Sequence, residues 1–239
     1  MKPEFGSEEE KELYVQDVFT KVAPHYDLMN ALLSFGMDRY WRRFAVSRLR
    51  AESEARSFLD VACGTCMLSL ELLKQYPDAH VDGIDFNADM LRLGADHIRG
   101  EGKEAQVTLT RGDAMALPYP DDIFDGAISA FAMRNVPDVG RMIEEMRRVV
   151  KPGGRVVTLE LAKPGAIGFK QLYYLYFEKL LPLIGKVGAE GSVYAWLPES
   201  LRRYPHQRDI AELYMRLGLK NTACHELTGG IVAVHEGTK

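Results

Sequence analysis

The stretch that decides the fold reads Asp60-Val61-Ala62-Cys63-Gly64-Thr65-Cys66-Met67-Leu68. Residues 57–63 are apolar or β-branched enough for a buried strand, and residues 67–76 carry the apolar spacing of a helix. A small-residue turn between the two lets a ligand come close to the main chain, and Gly64 removes the side chain that would hold it off. In open α/β sheets ligands gather at the carboxyl ends of the strands, near the point where strand order reverses. Only one glycine stands where the G-x-G-x-x-G fingerprint wants three, so the turn argues against NAD.

Outward from this turn, short β-rich runs alternate with helical patterns, the signature of βαβ units on a parallel sheet. Candidate strands cover residues 57–63, 80–86, 106–113, 124–131 and 155–161. A helix over residues 138–150 is stopped by Lys151-Pro152-Gly153-Gly154. A last helix over residues 208–217 leads through Gly218 into two β-like runs, 220–227 and 231–235, separated by Thr228-Gly229-Gly230, which reads as a hairpin. The fold class is therefore α/β: a mostly parallel, Rossmann-like seven-stranded sheet with an antiparallel last strand and helices on both faces. One domain spans residues 1–239, with a helical cover at 8–49 and a helical insertion at 165–205.

The chain's 239 residues are enough for one sizeable core and few for two domains. Hydrophobic residues make up 46% and charged ones 27%, the balance of an ordinary globular protein. A net charge of -4 gives no general attraction to nucleic acid, which is excluded as a partner. No run reaches the roughly 18 apolar residues that span a bilayer, and residues 1–11 lack a signal-type apolar stretch, so a cytoplasmic protein is expected. Cys63, Cys66 and Cys224 are too few for a disulfide framework. Cys63 and Cys66 lack the second ligand pair that a zinc site wants; they read as small residues beside a ligand, and no metal is expected.

Two more strand ends carry carboxylates. Gly83-Ile84-Asp85-Phe86 places Asp85 about 20 residues beyond the turn, where it can accept from both hydroxyls of a ribose. Gly112-Asp113-Ala114 offers a carboxylate and a backbone N–H to the amino group and ring nitrogen of an adenine. Read in order, Asp60, Gly64, Asp85, Phe86, Asp113 and Ala114 describe an adenosine pocket.

The chain resembles the menaquinone and ubiquinone biosynthesis C-methyltransferases of the UbiE/MenG type over nearly its whole length. The blocks that carry the resemblance are Val18-Phe19, the run Ala23-Pro24-His25-Tyr26-Asp27-Leu28-Met29-Asn30, Ser34-Phe35-Gly36 with Trp41, and the turn at residues 60–68. Further blocks are Ala116-Leu117-Pro118 with Phe124-Asp125, Phe131-Ala132-Met133-Arg134-Asn135-Val136, Lys151-Pro152-Gly153-Gly154, and the end of the chain with His235 and Gly237. The resemblance implies the class I S-adenosylmethionine-dependent methyltransferase fold, with Thr65, Asp85, Asp113 and Ala114 on the cofactor. Cys66 stands where many relatives have Gly and is kept only as a candidate contact. Ala130 stands where some relatives have a cofactor-contacting Ser and is left out of the site.

The implied reaction is C-methylation of a prenylated quinol, demethylmenaquinol to menaquinol. The alternatives are a 2-methoxy-6-polyprenyl-1,4-benzoquinol of ubiquinone biosynthesis and another small aromatic acceptor. Residues 168–177 look more like the menaquinone branch. Such a transfer needs the ring carbon held in line with the methyl group, and a charge or base that favours the phenolate. Candidates are His25, Tyr26, Asp27, Arg134 and Asn135. A guanidinium stays charged, so Arg134 is expected to stabilise phenolate while Asn135 orients the ring and water or His25 takes the proton. Aromatic residues over 169–196 are expected to cover the prenyl tail. Transient contact with a membrane surface and a homodimer are the further partner expectations; a non-enzymatic cofactor-binding protein is the other class of reading.

Overall fold

The computed structural model describes residues 8–49, 57–165 and 192–239. Seven strands form one sheet: β1 Ser57–Val61, β2 His80–Asp85, β3 Val107–Arg111, β4 Phe124–Ala130, β5 Val150–Leu161, β6 Lys220–Leu227 and β7 Val232–Thr238. Their order is β3-β2-β1-β4-β5-β7-β6. The first five strands run parallel, and β7 inserts antiparallel between β5 and β6. The order reverses between β1 and β4, so the loops leaving these two strands diverge and open a crevice at their carboxyl ends.

Helices cover both faces because alternate strand residues point to opposite sides. Phe58 faces one core with Trp41, Ala45, Leu72 and Ile98. Its neighbours Leu59 and Val61 face the other with Met142, Met146, Ile210 and Tyr214. The covering helices are α1 Glu8–Val22, α2 Tyr26–Leu33, α3 Asp38–Ser47, α4 Met67–Gln75, α5 Ala88–Gly100, α6 Val139–Val149, α7 Ser192–Arg203 and α8 Gln207–Arg216. A short 3-10 turn, Ala23–His25, joins α1 to α2. Polar caps set several starts: Asn87 accepts from the amides of Asp89 and Met90 at 3.0 Å, and Asp138 accepts from that of Arg141 at 3.0 Å.

The strand ends differ from the sequence expectation in instructive ways. β3 stops at Arg111, and the Gly112 amide makes the last ladder bond, to the Asp85 carbonyl at 3.0 Å. β5 begins at Val150 rather than at 155. Lys151-Pro152-Gly153-Gly154 does end α6, but Val150 already pairs with Phe124, and Gly153 and Gly154 bond to Lys239 at 3.1 and 3.0 Å. β7 runs on to Thr238 because it has a ladder partner on each side. Of the expected insertion at 165–205, residues 166–191 lie outside the described residues, and the rest includes α7.

A strand-end pocket under helical cover

The turn after β1 is conformationally demanding. Ala62, Gly64 and Cys66 all take left-handed backbone, with φ of 57°, 53° and 64°. This is free at Gly64 and costs about 1 kcal/mol at each of the other two. The turn is held by bonds from the Cys63 amide to the Ile84 carbonyl at 3.0 Å and from the Cys66 amide to the Cys63 carbonyl at 2.8 Å. Cys66 is fully buried, and its thiol fits only because α5 presents Gly94: a β-carbon there would lie 2.5 Å from the sulfur. The Cys63 and Cys66 thiols lie 3.9 Å apart, both free. The contact with Cys66 and burial push the Cys63 thiol well above its usual range, which keeps it a protonated packing group.

Asp85, at the end of β2, is buried. It accepts from the Gly64 amide at 2.8 Å through Oδ2 and from the Asn87 amide at 2.9 Å through Oδ1. Each oxygen keeps a second lone pair for a ligand hydroxyl, so the carboxylate fits a ribose while its own position is fixed by backbone. Burial pushes its pKa up to about 6. Asp113 is exposed at the pocket rim, where its Oδ1 accepts from the Met115 amide at 2.8 Å.

These groups line a cavity of about 350 Å³ whose wall includes Gly64, Asp85, Phe86, Asp113, Ala114 and Asn135. A smaller hollow of about 40 Å³ shares Tyr26, Ala62, Gly64, Ala130 and Phe131 with it, and its further lining includes Asp60, Thr65, Asn30 and Arg42. Asp60 is buried; its Oδ2 accepts from the Ser69 hydroxyl at 2.6 Å, while Oδ1 has no partner among the described residues. Burial raises its pKa to about 7. An orphaned carboxylate oxygen beside a small polar hollow suits a cationic amino group, so the residues present fit an adenosine at the large cavity and an amino-acid end at the small one.

The remaining expected site residues separate into two groups. Tyr26, the first residue of α2, lines both hollows, and burial raises its phenol above the usual range. Asn135 lines the large cavity, with its amide donating to the Phe131 carbonyl at 3.2 Å and accepting from the Trp196 indole at 2.9 Å. Thr65 donates to Asp27 at 2.8 Å, tying the turn to α2. Arg134 and His25 are outside both linings. The Arg134 guanidinium is 9% exposed and donates to Glu160 at 2.5 Å and to the Phe131 carbonyl at 2.8 Å. Its charge is therefore already answered by a buried carboxylate, and it sits behind the wall rather than in it. His25 is exposed in the turn before α2.

Ala130, set aside in the sequence as a departure from Ser, lines both hollows, because the last residue of β4 opens onto the crevice whatever its side chain. Cys66 lines neither. Within the expected helical cover at 8–49, α1 closes the cavity with Leu13, Gln16 and Phe19, which were not singled out as site residues. Asn87 secures this helix by donating to the Gln16 carbonyl at 3.2 Å and the Thr20 hydroxyl at 3.0 Å, and Lys11 donates to the Val136 carbonyl at 2.7 Å. Of Leu13, Gln16 and Phe19, only Phe19 lies in a block that carries the family resemblance; nothing in the sequence marks Leu13 or Gln16.

The sheet order, the strand-end turns and the paired hollows define the class I, S-adenosylmethionine-dependent methyltransferase fold. Solved structures agree: an S-adenosylmethionine-dependent methyltransferase from Thermotoga maritima superposes with a TM-score of 0.65 at 18% identity, covering 94% of this chain and 99% of that one. A methyltransferase in complex with its Trm112 activator from Haloferax volcanii gives 0.66 at 16%, covering 92% and 96%. The chain belongs to the ubiE/COQ5 methyltransferase family, whose model matches residues 7–239. It is 43% identical to the demethylmenaquinone methyltransferase of Desulfitobacterium hafniense over 98% of this chain and 92% of that protein. It is 40% identical to that of Bacillus subtilis over 97% and 100%. The ubiquinone/menaquinone biosynthesis C-methyltransferase UbiE of Geobacter sulfurreducens is also 40% identical, over 96% and 90%.

Proposed function

We propose that this enzyme methylates a ring carbon of a prenylated quinol, converting demethylmenaquinol to menaquinol, and that it works in the cytoplasm at the membrane surface. The observation that carries the reading is the placement of Tyr26 and Asn135, from the two family-marking blocks, on the wall of the cavity that also holds Asp85. Among the described residues no helix is long and apolar enough to cross a membrane.

Bound S-adenosylmethionine supplies a methyl group on a sulfonium, an electrophile that needs an oriented nucleophile more than an acid or base. Asp85 and the Asp113–Ala114 corner hold the adenosine end, and Asp60 the amino end. Tyr26, with its phenol kept protonated at neutral pH, and Asn135, fixed by Trp196 and the Phe131 carbonyl, donate hydrogen bonds to the quinol oxygens and favour the phenolate. Arg134 acts from behind: its bond to the Phe131 carbonyl braces the turn that carries Asn135. The ring carbon gains the methyl group and loses its proton, which passes to water because His25 lies outside the lining.

The benzoquinol alternative keeps support from relatives named for both quinones. The deciding experiment offers the purified protein S-adenosylmethionine with a pool of reduced naphtho- and benzoquinols, and mass spectrometry identifies which gains a methyl group. Methylation of the naphthoquinol is expected. Preference for the benzoquinol would move the substrate, and consumption of no acceptor would leave only a cofactor-binding protein.

A further inference from the structure

α2 is unusual in being apolar on two sides. Its inward side packs Met29 and Leu33 on the core and puts Tyr26 on the cavity wall. Its outward side carries Leu28 and Leu32, one turn apart and 62% and 56% exposed. The turn into α3 adds Phe35 at 82%, Met37 at 37% and Tyr40 at 49%. Five large apolar side chains within thirteen residues form a patch of the kind that marks an interaction site.

The elbow is rigid. Ser34 donates to the Asp38 carboxylate at 3.0 Å, and Asp38 pairs with Arg42 at 2.8 Å out of solvent. That pairing removes the one acid between Leu28 and Arg48, whereas Arg39 and Arg43 remain exposed and Arg48 half-exposed. On a chain of net charge -4, the elbow is thus locally cationic around an apolar tip.

We infer that the α2–α3 elbow is the membrane-docking surface of this enzyme, inserting Leu28, Leu32 and Phe35 among acyl chains while Arg39 and Arg43 meet anionic headgroups. Charge selects this occupant over a second copy. A two-fold contact through the elbow would bring the same arginines against themselves, whereas an anionic bilayer neutralises them. Placement supplies the purpose, which rests on the quinol reading: α2 has bilayer on one side and the reaction cavity on the other, about one helix diameter apart. A prenylated ring leaving the membrane beside α2 needs to move only that far to reach Tyr26.

The test is sedimentation of the full-length protein with vesicles of phosphatidylcholine containing phosphatidylglycerol, and with pure phosphatidylcholine, at low and high salt. Wild type is expected to pellet with the anionic vesicles in a salt-sensitive way. The variant Leu28→Gln/Leu32→Gln/Phe35→Asn should bind at least about tenfold more weakly. Arg39→Gln/Arg43→Gln, at two exposed positions, should lose roughly thirtyfold. Met215→Gln, at an exposed apolar residue elsewhere, should bind as wild type. Turnover on a short-chain, water-soluble quinol should be unchanged in all three, so loss of that turnover in wild type would sink the substrate reading and leave the docking result standing. Equal binding by wild type and both elbow variants, no binding by wild type, or a change in oligomeric state instead of vesicle binding would each overturn the docking surface.

Discussion

The side of the cavity we assign to the cofactor and the side we assign to the acceptor each present a buried polar side chain, Asp85 and Asn135, yet these are held by different means. On the cofactor side, Asp85 is fixed by two backbone amides within the sheet ends. On the side we assign to the acceptor, Asn135 relies on a side chain from a distant segment, the Trp196 indole 61 residues away, and Arg134 behind it is held by Glu160 across 26 residues. Backbone-held ligands come with the fold, so one scaffold can keep its cofactor while its acceptor wall is rebuilt. Four measurements would break or sharpen this contrast.

The largest effect is expected at the Arg134–Glu160 pair. Glu160→Gln leaves a buried guanidinium without its counter-charge, and denaturant unfolding should show a loss of about 3–5 kcal/mol. The double change Arg134→Met/Glu160→Met should recover most of it. No recovery would mean that the pair does more than neutralise itself.

Next comes Asp85→Ala. Removing a charged acceptor aimed at the cofactor should weaken S-adenosylmethionine by about 2–3 kcal/mol in calorimetry, roughly 30- to 150-fold. Acceptor-side changes at Asn135 should leave that constant within about twofold. Comparable losses on both sides would erase the distinction.

A third test uses pH. Asp85 and Asp60 have folded pKa values raised to about 6 and about 7 from 3.8, so the native state holds more protons than the unfolded one between those values. The contribution of both groups to apoprotein stability should therefore fall as pH rises from about 4 to 7, read as a falling melting temperature in that window. Cofactor affinity should move the opposite way, weakening as pH drops below about 6, because ribose hydroxyls and an ammonium need ionised carboxylates. Parallel trends would show that the two carboxylates do not face the cofactor.

The smallest effect is expected for Trp196→Phe, which removes the indole donor to Asn135 and keeps an aromatic against Tyr14. A cost of about 1 kcal/mol should fall on KM for the quinol, with cofactor affinity unmoved. A change confined to cofactor affinity would place Trp196 with the wrong half of the site.

Much of the cofactor half was legible because its signals are local. A buried strand, a turn with Gly64 and a carboxylate at the next strand end follow one another in a fixed order along the chain, and the βαβ rule brings their ends together. Asp60, Gly64, Asp85, Phe86, Asp113 and Ala114 all line the hollows. Ala130, set aside for lacking a Ser hydroxyl, lines them too, because its place is decided by where β4 ends and not by its chemistry. Arg134 was legible as part of a marked block, but its partner Glu160 lies on another strand and nothing near Arg134 announces it.

What the sequence determined by itself is the alternation of strands and helices, the left-handed turn at Gly64 and the carboxylates at the strand ends, all set by neighbours within a few residues. The tertiary structure alone decided that Arg134 is spent on Glu160, that Leu13, Gln16 and Phe19 of the helical cover close the cavity, that Trp196 holds Asn135, and that α2 carries an apolar face outward. Burial and ion pairing join residues far apart in the chain, so their outcome exists only once the sheet has brought those residues within a few ångströms of each other.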